Sequence, residues 1–321
     1  MKLKSTVYAP ILFGVMLLLA GVASALSRVI EKVSVDAFLS SAMLQLIVFL
    51  LPLAFYCRVM GINAVSAMNL RPVGLRRIPL LVNLSLVFFV GALVLRYAGL
   101  FLFDEAMVET PGAIYFSAKS ENAFLHFLGV VVLPAILEEA AFRGILMKGY
   151  REFGAFWSVS VTSIMFSMLH LSAENFVYYL FMGVILGIMT LVSNSVLPAM
   201  GLHVAINASY EYLRPAVVEY LRQAGKSIIL PYILLGIFMS LFVFTFSGLE
   251  KLYEPSMYNE ILDSRRELLK KELKKARSLQ KQEVPETKGK AFFRSFREIY
   301  LSPAFLVCIV LFFFLISDVL K

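Results

Sequence analysis

Nine long apolar runs are the feature that most constrains the fold of this chain. A helix needs about 20 consecutive, mainly apolar residues to cross the hydrocarbon core of a bilayer. Hydrophobic residues make up 60% of the chain and charged residues 16%, whereas a soluble domain has about 45–50% and about 25%. This composition excludes a soluble fold. The runs lie near residues 9–27, 37–57, 79–103, 124–148, 155–171, 175–193, 196–213, 228–248 and 303–319.

The runs predict an all-α fold, a polytopic transmembrane helix bundle with about eight or nine spans, because a helix satisfies its own backbone groups in lipid. Those at 155–171 and 196–213 are shorter than most, and partly re-entrant helices are an alternative there. We divide the chain into a membrane bundle over 1–248, a basic helical segment over 249–302, and an additional C-terminal transmembrane helix over 303–321.

The distribution of charge predicts the orientation of the chain. Lys2 and Lys4 precede the first run, and four arginines lie in the connection 58–77. The connection 104–123 instead has four acids and one base, whereas 249–302 contains 13 of the 30 Lys and Arg residues. Lys and Arg are enriched in cytoplasmic loops. We therefore predict a multi-pass protein of the cell (plasma or inner) membrane with a cytoplasmic N-terminus. The net charge of +8 reflects this orientation and not nucleic-acid binding.

The basic segment 249–302 is predicted to be cytoplasmic and helical, with its clearest helix over 260–282. Its nine acids offset much of its positive charge. The helix either lies on anionic lipid headgroups or is a solvated linker before the last span. The two cysteines, Cys57 and Cys308, are in or beside apolar runs, and we expect them to be small buried core residues.

Two adjacent carboxylates in the fourth run are the strongest indication of a functional site. Ionisable residues within spans are costly and mark functional positions. Glu139 and Arg143 are four residues apart, so they share a helix face and can pair. Glu138 points about 100° away. One carboxylate can thus be neutralised while the other serves as a general base. The structural alternative is a buried ion pair with a bystander.

Two of the three histidines also lie in apolar runs. His170 ends the fifth run, and His203 lies four residues before Asn207 in the seventh. A carboxylate and an imidazole can activate water, while a second imidazole and an amide can stabilise an oxyanion. Two histidines and a carboxylate are also zinc ligands, but no HExxH motif is present. We expect the third histidine, His126, to lie at the interface without a comparable partner.

Three motifs on separate apolar helices together resemble one family of membrane enzymes. In chain order they are Glu138-Glu139-x-x-x-Arg143, Phe166-x-x-x-His170 and His203-x-x-x-Asn207. This pattern is similar to the CPBP family of CAAX-processing and bacteriocin-processing intramembrane endopeptidases. The family is also called Abi and includes the Ras-converting type. The resemblance covers roughly residues 120–215.

The resemblance implies a catalytic core of CPBP type and a role for each motif residue. Glu138 and His170 would activate the attacking water. His203 and Asn207 would form the oxyanion site. The second glutamate and the arginine of the first motif would order their helix.

The resemblance further implies an intramembrane endopeptidase whose substrate is membrane-embedded or lipidated. Candidate substrates are a prenylated CAAX tail, a bacteriocin-type leader and another membrane protein. A metal-free mechanism without a cofactor is implied, although the residues alone leave zinc or another divalent metal open. The alternatives are a non-catalytic scaffold or immunity protein of the same fold and, less favoured, a proton-coupled transporter.

Overall fold

The computed structural model of the protein describes residues 2–30, 37–102, 122–224, 229–252 and 288–319. Within these ranges every regular element is helical, which confirms the all-α prediction. Apart from a 3₁₀ turn at Leu75–Arg77, the helices are α1 (Lys2–Ile30), α2 (37–60), α3 (Ala64–Met68), α4 (Ile78–Leu102), α5 (Ala123–Phe153), α6 (Ala155–Leu169), α7 (Phe176–Ser193), α8 (Leu197–Ala224), α9 (Ile229–Leu252), α10 (Lys288–Tyr300) and α11 (Pro303–Val319).

The described helices account for all nine predicted runs. Six are long and apolar enough to cross a membrane, or seven if α10 and α11, bent by 55°, form one span. Helix α6 has only 15 residues, and α8 is long but more polar. These two helices contain the runs for which partial re-entry is the alternative. The protein is therefore a multi-pass membrane protein, and the count of eight or nine depends on α6 and α8.

Two of the helices contain wider, π-helical turns. In α2 the π segment is Leu46–Leu50. In α5 the segments Phe127–Val132 and Ala140–Leu146 flank the α-helical turn Leu133–Glu139. Such insertions change the direction of the side chains that follow and are frequent at functional sites. The adjacent carboxylates of α5 are therefore in a helix whose regular period is interrupted on both sides.

Helix α5 is central in the bundle because α2, α6 and α8 all contact it. Helices α6 and α7 pack together, and α4 packs on α7 and α9. Within the membrane a polar contact joins α4 to α9, where Asn83 Nδ2 donates to Thr245 Oγ1 over 2.5 Å. Large apolar side chains on the outside of the bundle, such as Phe244 and Phe246, are exposed to the region that lipid would occupy.

The C-terminal helices pack on the bundle. Trp157 of α6 contacts Phe292 of the amphipathic helix α10, which the sequence reading did not identify. Helix α11 lies along α1, where the Cys308 thiol donates to the carbonyl of Pro10 over 3.2 Å. Both cysteines are buried and free, as expected. The helix predicted over 260–282 lies outside the described residues, so that prediction stands as made.

Candidate active site

The site begins with the two consecutive carboxylates at the end of the Leu133–Glu139 turn of α5. Glu138 is 8% exposed and Glu139 is fully buried. Because consecutive helical side chains diverge by about 100°, the two carboxylates meet different neighbours. Burial of a charge is tolerated only where partners compensate for its lost hydration. The partners of each carboxylate therefore indicate its role.

Glu139 is the carboxylate whose charge is neutralised inside the bundle. Its Oε1 accepts from Arg143 Nη1 over 2.7 Å, which confirms the predicted pairing. The same oxygen lies 2.9 Å from His203 Nδ1 on α8. Arg143 Nη2 also donates to the carbonyl of Gly183 on α7 over 3.1 Å. This network ties α5 to α7 and α8 and fixes the imidazole of His203.

Glu138 faces two imidazoles. Its Oε2 lies 4.0 Å from His170 Nε2 and 3.8 Å from His203 Nε2. Both separations exceed a direct hydrogen bond. In the described part of the chain, Oε2 accepts no hydrogen bond. The geometry brings one carboxylate oxygen and two ring nitrogens around a common point, at separations that a single water molecule can bridge.

The orientation of each imidazole follows from its other ring nitrogen. A carbonyl can only accept, so His170 Nδ1 must donate to the Phe166 carbonyl, which is 2.8 Å away. In neutral His170 this leaves a lone pair on Nε2, the atom nearer Glu138. Tyr179 stacks on the ring with a centroid separation of 3.7 Å. His203 Nδ1 is directed at the Glu139 carboxylate in the same manner.

Phe166 explains the first position of the second motif. It is completely buried, and its ring lies edge-on to Phe142 at 5.2 Å. The guanidinium carbon of Arg143 lies 4.6 Å from its ring centroid, which is the geometry of a cation–π contact. Phe166 thus contacts Arg143 through its ring and positions His170 through its carbonyl.

Asn207 lies one turn beyond His203 on α8. Its Nδ2 donates over 3.2 Å to the carbonyl of Val131, at the end of a π segment of α5. The hydrogen bond therefore runs to the backbone of α5 and not to Glu138. A side-chain amide has two N–H donors, so one remains for a ligand. The oxyanion role of Asn207 stays a prediction.

The same face of α8 carries a polar contact that the sequence analysis missed. Glu211, four residues beyond Asn207, lies 2.9 Å from Nε2 of His126. His126 is buried at 8% exposure, so the expectation that it lacks a partner is wrong. The spacing of His203, Asn207 and Glu211 by four residues is a signal that could have identified this polar seam between α8 and α5.

Metal binding was the alternative left open by the residue types. Within the described ranges, no three or more His, Cys, Asp or Glu side chains are grouped so as to hold a metal ion. Glu139 is already engaged by an arginine and a histidine. The arrangement offers a carboxylate and oriented imidazoles, which are groups that can exchange protons with a water molecule.

One family model matches the part of the chain that contains this site. Residues 120–209 match the family model described as Rce1-like, type II CAAX prenyl endopeptidase. The matched range contains all three motifs, from Glu138 to Asn207, and confirms the resemblance drawn from them. No curated protein and no solved structure matches the chain.

Proposed function

Because residues 120–209 match the model of this family of CAAX prenyl endopeptidases, we propose that the protein is an intramembrane endopeptidase. It would hydrolyse a peptide bond of a membrane-embedded or lipidated substrate. One observation carries the proposal: the unbonded Oε2 of Glu138 lies about 4 Å from two oriented imidazole nitrogens within a buried polar site. A carboxylate that only stabilised the fold would pair directly, as Glu139 does.

In the proposed reaction, Glu138 and His170 activate water. A water molecule between them donates one hydrogen to Glu138 Oε2 and the other to the lone pair on His170 Nε2. As the water oxygen attacks the scissile carbonyl carbon, Glu138 takes a proton and a tetrahedral intermediate forms. Collapse of this intermediate breaks the C–N bond, and Glu138 returns the proton to the leaving amine.

In the proposed mechanism, His203 and Asn207 donate hydrogen bonds to the oxyanion of the intermediate. When protonated, His203 donates from both nitrogens, so Nε2 can donate to the oxyanion while Nδ1 donates to Glu139. Asn207 contributes the amide N–H that Val131 does not use. Donors already in place before the reaction stabilise developing charge effectively.

An apolar cavity beside α8 supports a lipidated substrate. It has a volume of about 320 Å³ and lies between α4, α7 and α8. Leu202 contributes to its wall, and the next residue, His203, contributes to the polar site. A substrate anchored by an apolar chain in this cavity would present its peptide portion close to the imidazoles. A prenylated CAAX tail has this chemistry.

The test is cleavage by the purified, reconstituted protein. Three substrates are compared: a farnesylated CAAX peptide, the same peptide without the lipid, and a transmembrane peptide. We expect cleavage of the farnesylated peptide and no cleavage by Glu138→Gln, which retains shape but cannot act as a base. His170→Ala should be nearly as severe. Thermal unfolding of both variants, expected near that of the native protein, controls for misfolding.

Metal dependence is tested in the same assay. The proposed mechanism needs no metal, so exhaustive chelation should leave the cleavage rate unchanged. Loss of activity on chelation, with recovery on adding stoichiometric zinc, would contradict the metal-free mechanism but not the peptidase assignment. Full activity of both Glu138→Gln and His170→Ala would refute the site. Failure of the native protein to cleave any of the three substrates would favour a non-catalytic scaffold.

A further inference from the structure

A basic cavity lies at the end of the bundle where α5 and α7 terminate. It has a volume of about 310 Å³ and is lined by α3 and the residues after it, by the ends of α5 and α7, and by the residues that precede α8. This volume is at the lower end of the range for small-molecule sites, about 300–1,000 Å³. Four cationic side chains line it, and no lining residue is acidic: Arg71, Arg143, Lys148 and Arg151.

Arg143 is the buried cation in the lining of this cavity. It is only 3% exposed, and its two terminal nitrogens are occupied by Glu139 and by the carbonyl of Gly183. Its Nε, equally buried, has no hydrogen-bond partner in the described part of the chain. A buried N–H without an acceptor is costly. An anion in the cavity would place a negative charge near this buried guanidinium.

The other three cations are exposed at the mouth of the cavity. Arg71, Lys148 and Arg151 make no ion pair with any carboxylate of the described residues. Like charges around one small volume repel each other, and an anion between them would remove that repulsion. The cavity thus combines one buried cation with three exposed cations, which suits an anion bearing several acceptor oxygens.

The neutral part of the lining is built from short polar side chains and well-defined turns. Asn69 Nδ2 donates to the backbone carbonyl of Asn194 and joins the two walls. Both asparagines have left-handed backbones, with φ of 49° and 52°, a conformation that asparagine tolerates better than most residues. Ser66, Thr190 and Ser195 complete the polar lining. The cavity is therefore bounded by hydrogen-bonded turns.

We propose that this cavity binds a phosphate group, either the headgroup of an anionic phospholipid or a soluble phosphate. Its oxygens accept hydrogen bonds from the three exposed cations, and the positive charge of Arg143 in the lining attracts it further. Basic pockets between membrane helices bind lipid headgroups in this way. The proposal does not depend on peptidase activity. Since Arg143 also bonds Glu139, a bound phosphate would stabilise the network that orients His203.

The experiment measures thermal unfolding of the full-length protein. One arm uses inorganic phosphate or glycerol phosphate in neutral detergent, against chloride at equal ionic strength. The other uses phosphatidylcholine vesicles with or without phosphatidic acid. A ligand that binds only the folded state raises the unfolding midpoint in a saturable manner. We expect such a rise in at least one arm. Response to phosphatidic acid alone identifies a lipid, and response in the detergent arm identifies the phosphate group itself.

Matched charge variants test whether the shift of the unfolding midpoint arises from binding in this cavity. Arg71→Gln/Arg151→Gln removes two cations from the cavity, and Arg58→Gln/Arg76→Gln removes two from the same connecting region outside it. We expect the midpoint shift to be lost in the first pair and retained in the second. Equal loss in both pairs, or no shift in the native protein in either arm, would overturn the proposal. If the first pair folds poorly, the single variant Lys148→Gln must reduce the shift.

Discussion

Arg143 belongs to the interior of the site and to the basic cavity, so its removal should affect folding as well as activity. Arg143→Ala would leave Glu139 buried with His203 as its remaining partner. Breaking a buried ion pair from one side costs about 3–5 kcal/mol. We expect a lower unfolding midpoint, a lower folded yield and loss of cleavage. Arg76→Ala, an exposed arginine in the basic connection, is the control. A native midpoint in Arg143→Ala would contradict a structural role.

Substitution of Asn207 distinguishes a role in oxyanion stabilisation from a role in packing. Asn207→Ala removes the amide that bonds Val131 and, in the proposed mechanism, the oxyanion. Loss of one oxyanion donor lowers kcat about 10²–10³-fold, so we expect a decrease of that size with little change in KM. Ser209→Ala is the control, because the Ser209 hydroxyl donates to the Ala205 carbonyl of its own helix. A native kcat in Asn207→Ala would exclude this residue from the reaction.

Close contact between α6 and α7 depends on two glycines of α7. A Cβ on Gly183 would lie 2.9 Å from Ser163 Cα, and one on Gly187 would lie 3.0 Å from a methyl of Val159. Small residues four apart allow membrane helices to approach closely. The Gly183 carbonyl also accepts from Arg143. The contact between α6 and α7 therefore determines where the acceptor of the Arg143 hydrogen bond lies.

Gly183→Ala should separate the two helices and displace the Gly183 carbonyl that accepts from Arg143. Overpacking of this kind costs about 1–3 kcal/mol, so we expect a lower unfolding midpoint together with reduced cleavage. Gly236→Ala in α9 is the matched control, because an added Cβ there meets no atom within 4 Å. Equal unfolding midpoints in the two variants would show that α6 and α7 accommodate the added methyl group without loss of stability.

The topology of the whole molecule is testable with single cysteines. The native Cys57 and Cys308 are buried, so an exposed thiol should dominate labelling by an impermeant reagent. We expect Arg76→Cys to label from the cytoplasmic side and Phe124→Cys, at the start of α5, from the opposite side. Lys275→Cys, beyond the described residues, should label from the cytoplasmic side. Inverted labelling of the first two would overturn the predicted orientation of the N-terminus.

Features that depend on a single helix were predictable from the sequence. Each apolar run coincides with a helix because hydrophobic length is a local property. The pair Glu139–Arg143 formed as expected because residues four apart share a helix face. The three motifs were recognisable for the same reason, since each is confined to a few consecutive turns.

Relations between helices were decided by the tertiary structure. The contact of Glu139 with His203 joins residues 64 positions apart, and the pairing of His126 with Glu211 was not foreseen. The sequence specifies how residues are arranged around one helix axis, but not how far that helix slides, tilts or rotates against another. The π segments of α5 add a further rotation that a regular helical period does not contain. For this reason only the packed bundle could place Glu138 between two imidazoles.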